Sequence, residues 1–165
     1  MPFTPFHFGV GAAIHAIAPR RISFLGFCAG NVVTDFEPLY YMLTRQPPYH
    51  RFLHTIPGAT LSWIVALILF LLLIRVGTRI HFPNWLGWRD LTLLPIAFGA
   101  ALGSYSHLIL DGMMHADMRP FAPFTDANPL LGIIPLVALY SGCIAAAVLG
   151  IAIVIWRRSN QPGVR

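Results

Sequence analysis

Residues 61–76, 91–110 and 130–156 contain one charged residue between them, Arg75, and such runs restrict the chain to a fold whose surface is largely apolar. A hydrocarbon core about 30 Å thick asks for roughly 20 apolar residues per helix, so each run reads as a membrane span, the first needing the turn before it. Two weaker apolar stretches, 6–18 and 22–33, flank Pro19, Arg20 and Arg21 and read as a hairpin of short or half-spanning helices. Composition agrees: 56% of residues are hydrophobic, 10% are charged and the mean hydropathy is +0.68, too apolar for a soluble domain of this size. The expected fold is all-α: a polytopic helical membrane protein with three spans plus an N-terminal helical hairpin. No internal repeat or linker divides it, so residues 1–165 form one helical membrane domain ending in a short cytoplasmic tail, 156–165.

All eleven basic residues are arginine, and they lie in short polar stretches rather than in a run of the kind that binds nucleic acid, which excludes that partner class. Their placement sets an orientation through the positive-inside rule. Arg157, Arg158 and Arg165 put the C-terminus inside. Alternation through the spans adds Arg75, Arg79 and Arg89, and a true hairpin adds Arg20 and Arg21, leaving only Arg45, Arg51 and Arg119 outside. Cys28 and Cys143 lack the C-x-x-C partner of a zinc knuckle and read as packing residues. The N-terminus shows no signal-peptide pattern and is expected to belong to the fold.

Against this apolar background the ionisable residues stand out. His107, Asp111 and His115 are four apart at the end of the second span, so in a helix they share one face with a drift of about 40° per step. His50 and His54 repeat the spacing before the first span; Asp35 and Glu37 follow the 22–33 stretch, and His7 opens the 6–18 stretch. The topology brings all of them to the same outer level of the membrane. One such histidine is more often a hydrogen-bonded packing residue, but the whole set converging, at a depth where ionisable groups are costly, points to a metal site. Imidazoles mixed with carboxylates suit zinc, manganese or iron. The donors outnumber the four of one tetrahedral ion, so two or three divalent ions, zinc foremost, are expected to share them.

Four stretches carry a resemblance: Met1-Pro2-Phe3-Thr4-Pro5-Phe6-His7, Thr34-Asp35-Phe36-Glu37-Pro38, His50-Arg51-Phe52-Leu53-His54-Thr55 and His107-Leu108-Ile109-Leu110-Asp111. In order and spacing they resemble the YdjM-like family of predicted membrane-bound metal-dependent hydrolases, itself distantly similar to zinc-dependent phospholipases C and P1-type nucleases. Asp117 to Phe121 with Asn128-Pro129 looks like the closing part of that pattern. Glu37 stands where the family commonly has a second aspartate, and Thr55 where serine is frequent. The resemblance implies hydrolysis of a phosphoester, a lipid included, in a bacterial inner (plasma) membrane.

The expected ligands are His7, Asp35, His50, His54, His107 and Asp111, with Glu37 and His115 as further ligands or supports. Glu37 or Asp117 is the expected general base, and Arg51 and Arg119, the basic residues among the ligands, are the candidate phosphate contacts. Gly99 and Gly103 form a G-x-x-x-G that points to close helix packing within the chain. Trp63, Trp85, Trp88 and Trp156 read as interfacial belts. Two other classes of function remain: an accessory or structural subunit of a membrane-protein complex, in which the metal staples helices, and a carrier, disfavoured because the ligands gather at one end.

Overall fold

The computed structural model describes residues 5–160, and they are helical with no strand among them. The helices are α1 (His7–Ile17), α2 (Phe24–Leu43), α3 (Ile56–Arg79), α4 (Leu93–Met114) and α5 (Leu136–Ser159), with 3-10 turns at Phe52–His54 and Trp88–Asp90. At 1.5 Å per residue α3, α4 and α5 run about 33 to 36 Å, enough to cross a bilayer, and all three are apolar enough to do so. The 11 residues of α1 reach about 16 Å, half that thickness. The readings placed on Met1 to Thr4 and on 161–165, Arg165 included, lie outside the described residues.

Helix α4 is the centre of the fold, packing against both α2 and α3, while α1 pairs with α5. Of the apolar window of α4, 39% is buried, against 22% for α3 and 17% for α5. The outer two therefore turn most of their apolar surface outward, with Ile64, Ile68, Leu72, Val148 and Ile151 exposed. Such faces suit lipid and would be untenable in water.

Two local features set the helices in place. Thr55 caps α3, its hydroxyl accepting from the Gly58 N–H at 3.1 Å, and Ser23 caps α2 in the same way through Gly26. Between α2 and α4, two G-x-x-x-G faces interlock: Gly26 and Gly30 lie on Ile96 and Ala100, while Gly99 and Gly103 lie on Ser23 and Phe27. A Cβ at Gly30 or Gly103 would meet the carbonyl oxygen of Ala100 or Phe27. The absence of side chains lets the two backbones touch, and this sets Asp35 beside His107.

The structure corrects several sequence expectations. Helix α2 does not stop at residue 33; it continues through Asp35, Glu37 and Pro38 to Leu43, because its polar residues face the protein interior rather than lipid. His50 and His54 are not on a helix face, since Pro47 and Pro48 precede them and only a single 3-10 turn, Phe52–His54, intervenes. His115 lies just past the end of α4, as its cap. The last span starts at Leu136, after Pro129, Gly132 and Pro135 have broken the apolar run. Trp88 belongs to the core, packed with Phe70 and Ile96 and donating to the Pro83 carbonyl, while Trp85 and Trp156 are exposed.

Candidate metal centre

Four segments distant in sequence deliver ionisable side chains to one end of the bundle. Helix α1 brings His7 in its first turn, α2 brings Asp35, the 3-10 turn brings His54 with His50 just before it, and α4 brings His107 and Asp111. All six are buried. In a chain with so apolar a surface, that burial needs compensation from within the group.

The geometry has the form of a coordination shell. His107 Nε2 lies 3.2 Å from Asp35 Oδ1, 3.1 Å from Asp111 Oδ2 and 3.3 Å from His54 Nε2, and His54 Nε2 lies 3.5 Å from Asp111 Oδ2. The donor atoms of these four residues all fall within 4.8 Å of one another. Zinc–ligand arms of about 2.0–2.1 Å make tetrahedron edges of roughly 3.3 Å, the spacing seen here. Two imidazole nitrogens and two carboxylate oxygens facing one point cannot all be satisfied by hydrogen bonds among themselves, since at most the imidazoles bring protons. Of these four atoms Asp35 Oδ1 is buried without a hydrogen-bond partner, and beside them Asp111 Oδ1 and His7 Nε2 are buried without one as well. Some of these atoms come within 3.2–3.3 Å of an oppositely charged group, but out of line for a bond. A cation between them would resolve the shortage.

A second group adjoins the first. His50, Asp111 and His115 also bring donor atoms within 4.8 Å of one another, so Asp111 belongs to both sets. The His50 and His115 rings stack at 4.2 Å between centroids. His7 Nε2 approaches the outer oxygen of Asp111, Oδ1, at 3.3 Å, and its Nδ1 lies 3.2 Å from His107 Nδ1. The buried His/Asp cluster can hold a metal ion, and its donor set suits a borderline-soft divalent one.

The His107 and His50 rings are each held by a partner on the other nitrogen. His107 Nδ1 is 3.0 Å from Asn31 Oδ1, and Asn31 is fixed in turn by donating to the Phe27 carbonyl. His50 Nδ1 is 2.9 Å from Asp117 Oδ1, whereas His54 Nδ1, 4.0 Å from Glu37 Oε2, makes no hydrogen bond. Such outer partners set which ring nitrogen carries the proton and which faces the metal. Burial, with the His54 and His115 rings beside it, pushes His50 down to about 4 against the pull of Asp117, so its ring is neutral and free to ligate at pH 7. Burial raises the Asp117 carboxyl, but the hydrogen bond from His50, with those from the His50 and Tyr49 N–H groups, outweighs it and holds Asp117 below the usual carboxylate range.

The remaining candidates are placed as follows. Glu37 accepts from the N–H groups of Phe52 and Leu53 at 3.1 and 2.7 Å, fastening the histidine-bearing turn to α2. Arg51 lies 3.6 Å over the Tyr41 ring and donates to the Gln46 and Pro48 carbonyls, and Arg119 pairs with Asp126 at 2.9 Å. His15 and His81 are not brought to the cluster; His15 is set near the start of α2, against the Ile22 carbonyl. Asn31 is the residue that sequence reasoning missed, and its signal was an amide inside an apolar stretch one helical turn before Asp35. Beside His50, His115 and Asp117 a cavity of about 730 Å³ opens between Pro38 and Tyr49, and a second of about 420 Å³ lies between His50, Arg51 and Arg119.

No curated protein and no solved structure matches this chain. A family model does, over residues 1–164. With nearly its whole length matched, the chain belongs to the family described as a domain of unknown function, DUF4184.

Proposed function

We propose that the protein is a membrane-bound hydrolase that uses two divalent ions, zinc foremost, to cleave a phosphoester of a lipid at the bilayer surface. The observation that carries the reading is the sharing of Asp111 between two donor groups, the arrangement of two-ion phosphoesterases. Ions at such a site acidify water and neutralise charge developing on a phosphoryl oxygen. The chain's own residues fix that centre: Asp35, His54, His107 and Asp111 form one set, His50, Asp111 and His115 the other, and His7 completes the wall. Asn31 and Asp117 orient the His107 and His50 rings, and Glu37 fastens the turn that carries His54. Since Glu37 and Asp117 already accept hydrogen bonds from the turn they support, orientation suits them better than proton abstraction. The cavity between Pro38, Tyr49 and His115 gives a head group access from the membrane surface. The resemblance to the YdjM-like hydrolases supports the same chemistry.

One observation favours the accessory reading, in which the metal only staples helices. Both arginines near the site already have partners, Arg51 in Tyr41 and two carbonyls and Arg119 in Asp126. The discriminating experiment offers the zinc-loaded protein a panel of phosphodiester, phosphomonoester and acyl-ester lipids in mixed micelles. Turnover of a phosphoester that disappears in Asp111→Asn while the variant stays monodisperse supports the hydrolase; no turnover of any ester gives the accessory subunit. We further place the site outside and the C-terminus in the cytoplasm of a bacterial inner membrane, and a C-terminal reporter active only outside would reverse that orientation.

A further inference from the structure

At the end of the molecule opposite the metal centre, two pairs of arginines from opposite ends of the sequence come together. Arg20 and Arg21 lie in the turn between α1 and α2, and Arg157 and Arg158 in the last turn of α5. Helices α1 and α5 run side by side in the same direction: Gly9 touches the Cys143 carbonyl, Gly150 touches Ala12, and Arg157 donates to the Ile17 carbonyl at 3.5 Å. All four arginines line one cavity of about 670 Å³, and among the described residues no carboxylate lines it. Its other walls are Val154 and the segment from His15 to Pro19.

A second cavity, of about 570 Å³, continues from the first along the groove where α1 meets α5, closed on its other side by the start of α2 and by Leu86 and Leu91. Its lining is almost wholly apolar, with Phe8, Ala12, Leu86, Ala147, Ile151 and Ile155 among the walls, and His15 and Val154 line both cavities. His15 is held by the Ile22 carbonyl at 2.7 Å, which fixes the junction between the charged and apolar parts. Arginines that merely anchor separate helix ends would reach outward singly. Here four arginines, with no carboxylate among the described residues that line their cavity, head a lipid-depth groove with few polar groups.

We propose that this composite site binds one anionic phospholipid, its phosphate among Arg20, Arg21, Arg157 and Arg158 and an acyl chain along the α1–α5 groove. Guanidinium forks match phosphate oxygens in pairs, and basic pockets between helices near a membrane surface select anionic head groups. The apolar groove adds the burial of chain methylenes, which a free phosphate cannot exploit. The site is independent of the metal centre and of any reaction there.

The test uses the full chain in neutral detergent, titrated with phosphatidylglycerol or phosphatidylcholine and read by native mass spectrometry. The expected result is retention of one phosphatidylglycerol in preference to phosphatidylcholine. At about fivefold per arginine, Arg20→Gln with Arg21→Gln, or Arg157→Gln with Arg158→Gln, weakens retention by roughly thirtyfold. The control pair Arg75→Gln with Arg79→Gln, which removes the same charge outside the cavity, leaves retention within a few-fold of wild type. Val154→Trp, which fills the junction without changing charge, also weakens it. Equal retention of the two lipids, an equal loss in the control pair, an unchanged Val154→Trp, or displacement of the lipid by millimolar inorganic phosphate would each overturn the proposal.

Discussion

The two ends of this molecule handle charge in opposite ways. At the metal end, carboxylates and imidazoles are buried against one another and their shortage of partners is internal, with Asp35 Oδ1, Asp111 Oδ1 and His7 Nε2 left without a hydrogen bond. At the other end the charges are of one sign, lie at the rim of open cavities, and lack a counter-charge from the described chain. The acidic residues follow this division: Asp35, Glu37, Asp111, Asp117 and Asp126 sit at the first end and only Asp90 at the second. A buried group with unmet acceptors calls for a cation, and an open arginine set calls for an anion. The same chain thereby has two sites of opposite electrostatic demand joined by apolar helices.

The two ends should differ most in their response to a change at Asp111. Asp111→Asn keeps the shape but removes the charge shared by both donor groups, so binding of both ions should collapse while phosphatidylglycerol retention at the far end stays at the wild-type level. Elemental analysis and native mass spectrometry of one preparation read both; joint loss would mean that the ends are not separate. Gly103→Val comes next. Its added atoms meet the Phe27 carbonyl and the Asn31 amide, and overpacking of about 1–3 kcal/mol should push α2 from α4, lowering thermal stability and metal content together. Metal retained in full at a lowered melting temperature would show that the site does not depend on this contact.

Asn31→Leu removes the support of the His107 ring without touching a ligand, and such losses cost roughly 10–100-fold in metal affinity. A competition titration with a chelating dye measures it, and an unchanged affinity would remove Asn31 from the site. The smallest effect is expected from Asp117→Asn, which is part-exposed and retains an amide oxygen for His50 Nδ1. Affinity should fall by no more than about tenfold, at the second donor group only. An equal loss at both groups would contradict the division into two sets.

Much of this architecture is legible in the sequence, and what is not has physical causes. The three spans and the clustering of His7, Asp35, His50, His54, His107 and Asp111 follow from apolar length and from the rarity of charge in such a chain. The extent of α2 was not legible, because a hydropathy reading ends a membrane helix at its first carboxylate and Asp35 points inward. The helical i, i+4 argument placed His50 with His54 correctly for the wrong reason, since a proline-led turn, not a helix, brings their rings to 4.8 Å. Gly99 and Gly103 could be read as a packing face, yet their partners Gly26 and Gly30 went unread because pairing of two helices is not written in either one. The roles of Glu37 and Asp117 depend on backbone N–H groups that no side-chain pattern reveals.

Whether Asp111 joins two ion sites is decided by the metal content of the protein purified without chelators and then saturated with zinc. About two tightly held equivalents per chain are expected, with nitrogen and oxygen neighbours at about 2.0–2.1 Å in the X-ray absorption spectrum. One equivalent or fewer, or a sulfur shell at about 2.3 Å, would contradict this.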